Sequence, residues 1–259
     1  MAENEIQQVA NVLAEADSVL FITGAGVSAD SGLPTYRGVG GLYNDDETED
    51  GVAIEDALSG PMFAAQPALT WKYLWQIASA CRRALPNPAH NIIAEIESKK
   101  REVWVVTQNV DGLHRAAGSK NLVEVHGHIY DLFCAKCGFG ISATELLGNF
   151  KAAPDLPPIC SKCGGVIRPR VVLFEESLPM RVVHSLDQLA FINFDLVVAV
   201  GTTAVFPYIR EPIRRAQRAN SPTVEINPTE TAVSQEFDYR IQSGAAHALE
   251  RIWSCTNQR

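Results

Sequence analysis

Short apolar runs, continuous rather than alternating, recur along this chain. They are SVLFIT (18–23), VWVVT (103–107), LVEV (122–125), LVVAVG (196–201) and TVEIN (223–227). A strand that is apolar on both faces belongs in a parallel sheet covered on each side. Other stretches carry apolar residues at helical spacing. Residues 4–15 place Ile6, Val9, Val12 and Leu13 on one face, and residues 88–99 and 208–219 behave similarly. Buried strands alternating with helices predict an α/β fold with a doubly wound parallel sheet.

Two stretches break the alternation. Residues 39–85 pass through a glycine-rich turn and an acidic patch (Asp45, Asp46, Glu47, Glu49, Asp50), read as a solvated loop. They continue into aromatic-rich helices around Trp71, Tyr73 and Trp75. Residues 127–170 hold two cysteine pairs, five Lys/Arg against three Asp/Glu, and a proline-rich joint, APDLPP. Both read as insertions that together make a smaller lobe.

The net charge of −8 over 259 residues provides no basic field for nucleic acid or anionic membranes. The acidic, polar start MAENEIQQVA is unlike a secretory or mitochondrial leader. No apolar run approaches the roughly 18 residues of a membrane span. The expectation is a cytoplasmic protein with neither nucleic acid nor membrane as partner, its oligomeric state open.

Candidate chemistry begins after the first strand, in TGAGVSADSGLPTYRG (23–38). Gly24 permits a tight turn, and Gly26 lets the backbone come close to a ligand. The helix N-terminus that follows offers N–H groups to a phosphate, with the Ser28 hydroxyl nearby. A tight turn without a ligand fits Gly-Ala-Gly alone equally well. The third glycine of a dinucleotide fingerprint is replaced by Ala29. The acidic residue expected about twenty positions later at the end of a second strand is also missing, so an ordinary dehydrogenase site is excluded.

TQNVDGLH (107–114) follows a second strand, so its side chains emerge at the carboxyl edge, where open α/β sheets bind ligands. Asn109 and Asp111 can hydrogen-bond an amide, and Gln108 can reach ribose hydroxyls. The plainer alternative is a polar strand end with Asp111 capping the next helix. His126 ends the neighbouring strand just before Gly127. An imidazole at that shared edge is suited to moving a proton at neutral pH. His114 and His128 read as structural.

Cys134 and Cys137 precede a 22-residue gap, then come Cys160 and Cys163; both pairs have the form C-x-x-C-G. That spacing points four thiolates at one zinc, and a closed four-sulfur site is structural. Cys81 and Cys255 read as packing residues.

The motifs in order resemble the sirtuin family, the NAD-dependent protein lysine deacylases. GAGVSADSGLPTYR resembles its glycine-rich signature, with Tyr36-Arg37 where the family usually has Phe-Arg. TQNVD resembles its T-Q-N-x-D motif, and LVEVHG its catalytic histidine context. The resemblance implies NAD as co-substrate, held by Gly24, Ala25, Gly26, Ser28, Tyr36, Arg37, Gln108, Asn109, Val110 and Asp111. Gly201, Thr202 and Thr203 (a G-T-S-like segment), Asn227 and Ala245 would hold the phosphates and adenosine. It further implies His126 as general base, Asn109 assisting at nicotinamide, and acylated-lysine proteins as substrates. RPRVVLFEESLP (168–179) resembles the segment whose backbone pairs with substrate, here Val171, Val172, Leu173, Phe174 and Glu175. Leu173 and Glu175 stand where many members have tryptophan and glycine. Leu74 and Ile77 occupy the positions of a tyrosine and an arginine that bind acyl carboxylates in the desuccinylating branch. With no cation there, a buried acyl carboxylate would be unpaired, so apolar acyl groups are expected.

The expected organisation is therefore a Rossmann-like NAD-binding domain from residues 1–38, 86–126 and 171–259. Residues 39–85 form a helical insertion with the cofactor loop, and residues 127–170 a zinc-ribbon module. The alternatives are an ADP-ribosyltransferase or NAD hydrolase on the same scaffold, and a non-enzymatic binding module.

Overall fold

The computed structural model describes residues 2–34, 48–147 and 155–257. Among the described residues, nine strands form two sheets. The first contains β1 (Ser18–Thr23), β2 (Glu102–Thr107), β3 (Leu122–Glu124), β7 (Leu196–Val200), β8 (Thr223–Ile226) and β9 (Tyr239–Ile241). Its order is β3-β2-β1-β7-β8-β9, and every pairing is parallel. The apolar runs account for five of these strands. β9 carries Tyr239 and Arg240, too polar and too short to register as a buried run.

Helices cover both faces. α1 (Ala2–Glu15), α5 (Pro88–Lys99) and α10 (Ala245–Thr256) bury Ile6, Val9, Leu13, Ile93, Ile96, Leu249 and Ile252 against one face. α8 (Met180–Leu189) and α9 (Pro207–Arg218) cover the other with Leu189, Ile209 and Ile213. The fold is the doubly wound α/β arrangement. Strand order reverses direction between β1 and β7, and the crevice at such a switch point is where ligands of open α/β sheets sit.

The second sheet is antiparallel, in the order β5-β4-β6, from β4 (Gly127–Cys134), β5 (Gly140–Ser142) and β6 (Ile167–Val171). α2 (Ile54–Ala57), α3 (Gly60–Ala65), α4 (Pro67–Cys81) and α7 (Ala143–Leu147) accompany it, while the short α6 (Leu113–Ala117) follows β2. Trp71 and Leu74 of α4 share one apolar cluster with Ile129, Leu132 and Ile167 of the small sheet. Trp71 is buried, and its indole N–H donates to the Ile167 carbonyl at 2.7 Å. Burying such a side chain contributes about 1.5–3 kcal/mol, so α4 is fastened to the small sheet. Within the acidic patch, Asp50 accepts from Lys72 at 2.6 Å and from the Tyr73 hydroxyl. The loop reading assigned it no role, but the structure uses it to tie the segment to α4. Asp45, Asp46 and Glu47 lie outside the described residues.

Among the described residues, no helix is long and apolar enough to cross a membrane.

Candidate active site

β1 and β7 end side by side at the switch point, and their glycines touch. Gly24 N–H donates to the Val200 carbonyl at 3.1 Å, and Gly26 N–H to the Gly201 carbonyl at 2.9 Å. A Cβ on Gly26 would lie 2.6 Å from Gly201 Cα, and one on Gly24 2.7 Å from the Gly201 oxygen. Gly201 itself has φ +58°. The sequence reading gave Gly26 to close approach of a ligand. Here the close approach is between two loops of the chain, and the Gly26 amide is already taken. The turn after Gly24 is a 3₁₀ helix, Ala25–Ser31.

Ser28 turns its hydroxyl toward the chain's own polar groups. It is buried, and its hydroxyl donates to Asp111 Oδ2 at 2.7 Å. Asn109 Nδ2 donates to Ser28 Oγ and to the Gly24 carbonyl, both at 3.1 Å. Asp111 has two duties, because its Oδ1 accepts from Leu113 N–H at 2.9 Å at the start of α6. The capping alternative and the site reading thus use different oxygens of one carboxylate. A pocket of about 40 Å³ opens beside these groups, lined by Ala25, Leu33, Ile77 and Val110 as well as Ser28, Asn109 and Asp111. Its polar wall is an amide, a carboxylate and a hydroxyl, the mix of donors and acceptors a carboxamide requires, and its apolar wall suits an aromatic ring.

Beneath Ser28 lie two buried imidazoles that sequence reasoning left outside the site or treated as structural. His90 Nε2 is 3.4 Å from Ser28 Oγ, and His114 Nε2 is 2.9 Å from Thr23 Oγ1. The rings meet edge to face at 4.8 Å. Burial lowers His90 to about 4 against the pull of Asp111. Burial, with His90 adding to it, lowers His114 to about 3. Both are neutral at pH 7 and support the loop.

His126 follows β3, one strand away from Asn109. Its Nδ1–H donates to the Gln108 carbonyl at 2.9 Å, because a carbonyl can only accept. Its Nε2 therefore carries a lone pair, and the Tyr208 hydroxyl donates to it at 2.7 Å. Burial holds the His126 pKa below its usual value, opposed by the bond to the Gln108 carbonyl. The imidazole is thus a neutral, oriented base near pH 7. Tyr208 opened a stretch of helical spacing, but no motif marked it as a site residue; its place beside His126 only the fold defines.

The remaining expected residues distribute as follows. Gln108 Nε2 donates to the buried Thr202 Oγ1 at 2.6 Å, while Thr203 is exposed. Asn227 Nδ2 donates to the Thr202 carbonyl at 3.3 Å. Ala245 opens α10, where Ala246 N–H donates to Asp30 Oδ2 at 3.2 Å. That contact joins α10 to the 3₁₀ turn, and sequence reasoning missed it. Tyr36 and Arg37 lie outside the described residues.

Val171 pairs with Gly127, and Val172 N–H donates to the His126 carbonyl at 2.9 Å, so the segment begins against the backbone of His126. Phe174 N–H and C=O are taken by Leu58 and Gly60, so part of the segment expected to pair with substrate already pairs with the chain itself. Leu173 is buried in the small-lobe cluster. Glu175 is exposed and has φ +65°. It keeps the left-handed backbone that glycine adopts freely and projects its carboxylate into solvent.

The four cysteine sulfurs lie within 4.8 Å of one another, with Cys134–Cys163 at 3.4 Å and Cys137–Cys160 at 3.9 Å. Tetrahedral zinc with bonds of about 2.3 Å spaces its sulfurs about 3.8 Å apart, so the set fits. Gly138 and Gly164, after each pair, have φ +71° and +68°, the left-handed step that turns each knuckle back. The cluster belongs to the small sheet and holds structure rather than chemistry.

The Sir2 family model matches residues 24–207. The chain belongs to the Sir2 family. It is 49% identical to NAD-dependent protein deacylase 2 of Pseudomonas syringae pv. tomato, over 95% of this chain and 98% of that one. A solved structure described under the mechanism and regulation of Sir2 enzymes superposes with a TM-score of 0.86 at 33% identity, covering 99% of both chains. A Sir2 complex with a p53 peptide and NAD+ superposes with a TM-score of 0.81 at 25% identity, covering 96% and 97%. The Sir2 match spans the loop at Gly24, the Asn109–Asp111 segment, His126, all four cysteines and the junction at Gly201.

Proposed function

We infer that this Sir2-family chain is an NAD-dependent protein lysine deacylase that holds one structural zinc. Its substrates are acylated-lysine proteins. The observation carrying this reading is the convergence of Ser28, Asn109 and Asp111 on one pocket, with His126 on the adjoining strand. NAD would supply the glycosidic bond whose cleavage takes up the acyl group; with one water consumed, the products are nicotinamide, acyl-ADP-ribose and free lysine.

The chain's residues orient and move protons around that bond. Asn109 and Asp111 hold the carboxamide side, with Ala25, Val110 and the neighbouring apolar wall against the ring. Gln108, Thr202, Thr203, Gly201, Asn227 and Ala245 line the path toward the adenosine end. With NAD bound, His126 Nε2 would be the base that takes up, directly or in relay, the proton of a ribose hydroxyl. Fixing the acyl oxygen in line with the reacting carbon is chiefly a proximity effect.

Residues 171–175 and their edge present the acyl-lysine peptide next to His126. Leu74 and Ile77 stand where the desuccinylating branch has a tyrosine and an arginine, so acetyl and longer apolar acyl groups are preferred. The test is a panel of acetyl-, butyryl- and succinyl-lysine peptides with NAD, using wild type and His126→Ala. The expected result is acetyl and butyryl removal by wild type, reduced at least a hundredfold in the variant. Efficient succinyl removal would refute the acyl preference. Nicotinamide release indifferent to peptide would instead favour NAD hydrolysis.

A further inference from the structure

His126 has one proton-accepting nitrogen, and that nitrogen is occupied. Its other nitrogen is committed as donor to the Gln108 carbonyl, so the lone pair on Nε2 is the only basic site of the ring. The Tyr208 hydroxyl donates into it at 2.7 Å. One lone pair cannot accept from two hydroxyls at once. A ribose hydroxyl therefore either displaces Tyr208 or passes its proton through it.

The surroundings favour the second course. Tyr208 sits in the first turn of α9, with its ring stacked on Phe206 at 5.5 Å and 12° between planes. Phe206 also meets the edge of His126 at 5.9 Å, and Tyr208 meets it at 6.1 Å. Three rings thus brace one another and fix the hydroxyl in place. The Tyr208 oxygen donates to His126 and still has lone pairs to accept from a second hydroxyl. Burial pushes its pKa up to about 12, which keeps the phenol protonated and able to donate.

We propose that Tyr208 is a second proton-transfer residue of this site, relaying the ribose hydroxyl proton to His126. The inference rests on the deacylase reading above. In the step, the ribose O–H bond breaks as a new O–H forms on the Tyr208 oxygen. The original Tyr208 O–H breaks as N–H forms on His126 Nε2. The ribose oxygen keeps its electron pair for attack on the acyl carbon, and His126 becomes the imidazolium. Tyr208 ends neutral, so its high proton affinity is no obstacle. Nicotinamide departure needs none of these transfers.

Three measurements test the relay. In ligand-free protein, ¹⁵N NMR of the imidazole should show an unprotonated Nε2 with a hydrogen-bonded shift, returning toward the free value in Tyr208→Phe. Identical spectra would mean the bond is absent and overturn the proposal. In single-turnover assays with an acetyl-lysine peptide, Tyr208→Phe should release nicotinamide within about twofold of wild type, while forming deacylated product at least tenfold more slowly. Product formation at or above the wild-type rate would show that ribose reaches Nε2 directly, with Tyr208 merely a cap. If Tyr208→Phe fails to fold, wild type still decides: a proton inventory of the product step should curve, with two protons in flight, and a straight line would refute the relay. His126→Ala separates the two claims. Full product formation by it defeats His126 as the base and the relay with it, whereas its loss alongside an active Tyr208→Phe defeats only the relay; no product from wild type defeats the deacylase reading.

Discussion

Every residue of β1, β7 and β8 is buried, whereas β5, at the edge of the small sheet, has no buried residue. The large sheet has helices on both faces and two apolar clusters of its own. The small sheet shares a single cluster with α4 and gathers four thiols at one end. The first region is held by removing apolar surface from water. The second adds to its apolar cluster four thiols placed to hold one zinc, and binding of such a metal is coupled to folding.

The largest effect should come from the zinc site. Cys160→Ser, or treatment with a strong zinc chelator, should abolish deacylation and strip hydrogen-exchange protection from β4–β6 while leaving β1, β7 and β8 protected. Uniform loss of protection would mean the two regions fold as one unit and break the comparison. The next largest should come from the packed side. Gly201→Ala forces a Cβ to within 2.5 Å of Gly26 backbone atoms at a φ of +58°. It should cost about 2–4 kcal/mol in urea unfolding. An unchanged midpoint would show that the contact between the two loops can yield.

Acid should act mainly on the large region. His90 and His114 are lowered to about 4 and 3 by burial, while in the unfolded chain each titrates near 6.5. The unfolded state binds more protons in that interval. Their contribution to stability is therefore complete above pH 6.5 and is lost as pH falls toward 4 and then 3. Melting temperatures between pH 7 and 4 should fall accordingly, and less steeply in His90→Gln. The smallest effect should be at Glu175, where replacing a left-handed Glu with glycine should change stability by about 1 kcal/mol or less, in the stabilising direction. A clear loss of stability on Glu175→Gly would mean that the side chain holds the segment.

Much of the site was legible because its parts are local. The glycine turn, TQNVD, the histidine after β3 and the two C-x-x-C-G pairs each occupy a few consecutive residues. Their types state their chemistry, and the strands before them state which edge they reach. The contacts that Ser28 and Gly26 make within the chain were not legible, for a common reason. Both were judged against a ligand, when the nearer partners were Asp111 and Gly201, 83 and 175 positions away in the chain.

The sequence alone determined the strand runs, the helix faces and the four-sulfur spacing, because burial patterns and ligand spacing are periodic and short in range. Only the tertiary structure decided what those parts face. It set Gly24 and Gly26 against Gly201, joined Asp30 to α10, and aimed the Tyr208 hydroxyl at His126. These contacts follow from the stacking of strand ends at the switch point, where residues remote in the chain come within a hydrogen bond of one another and no local pattern records the meeting.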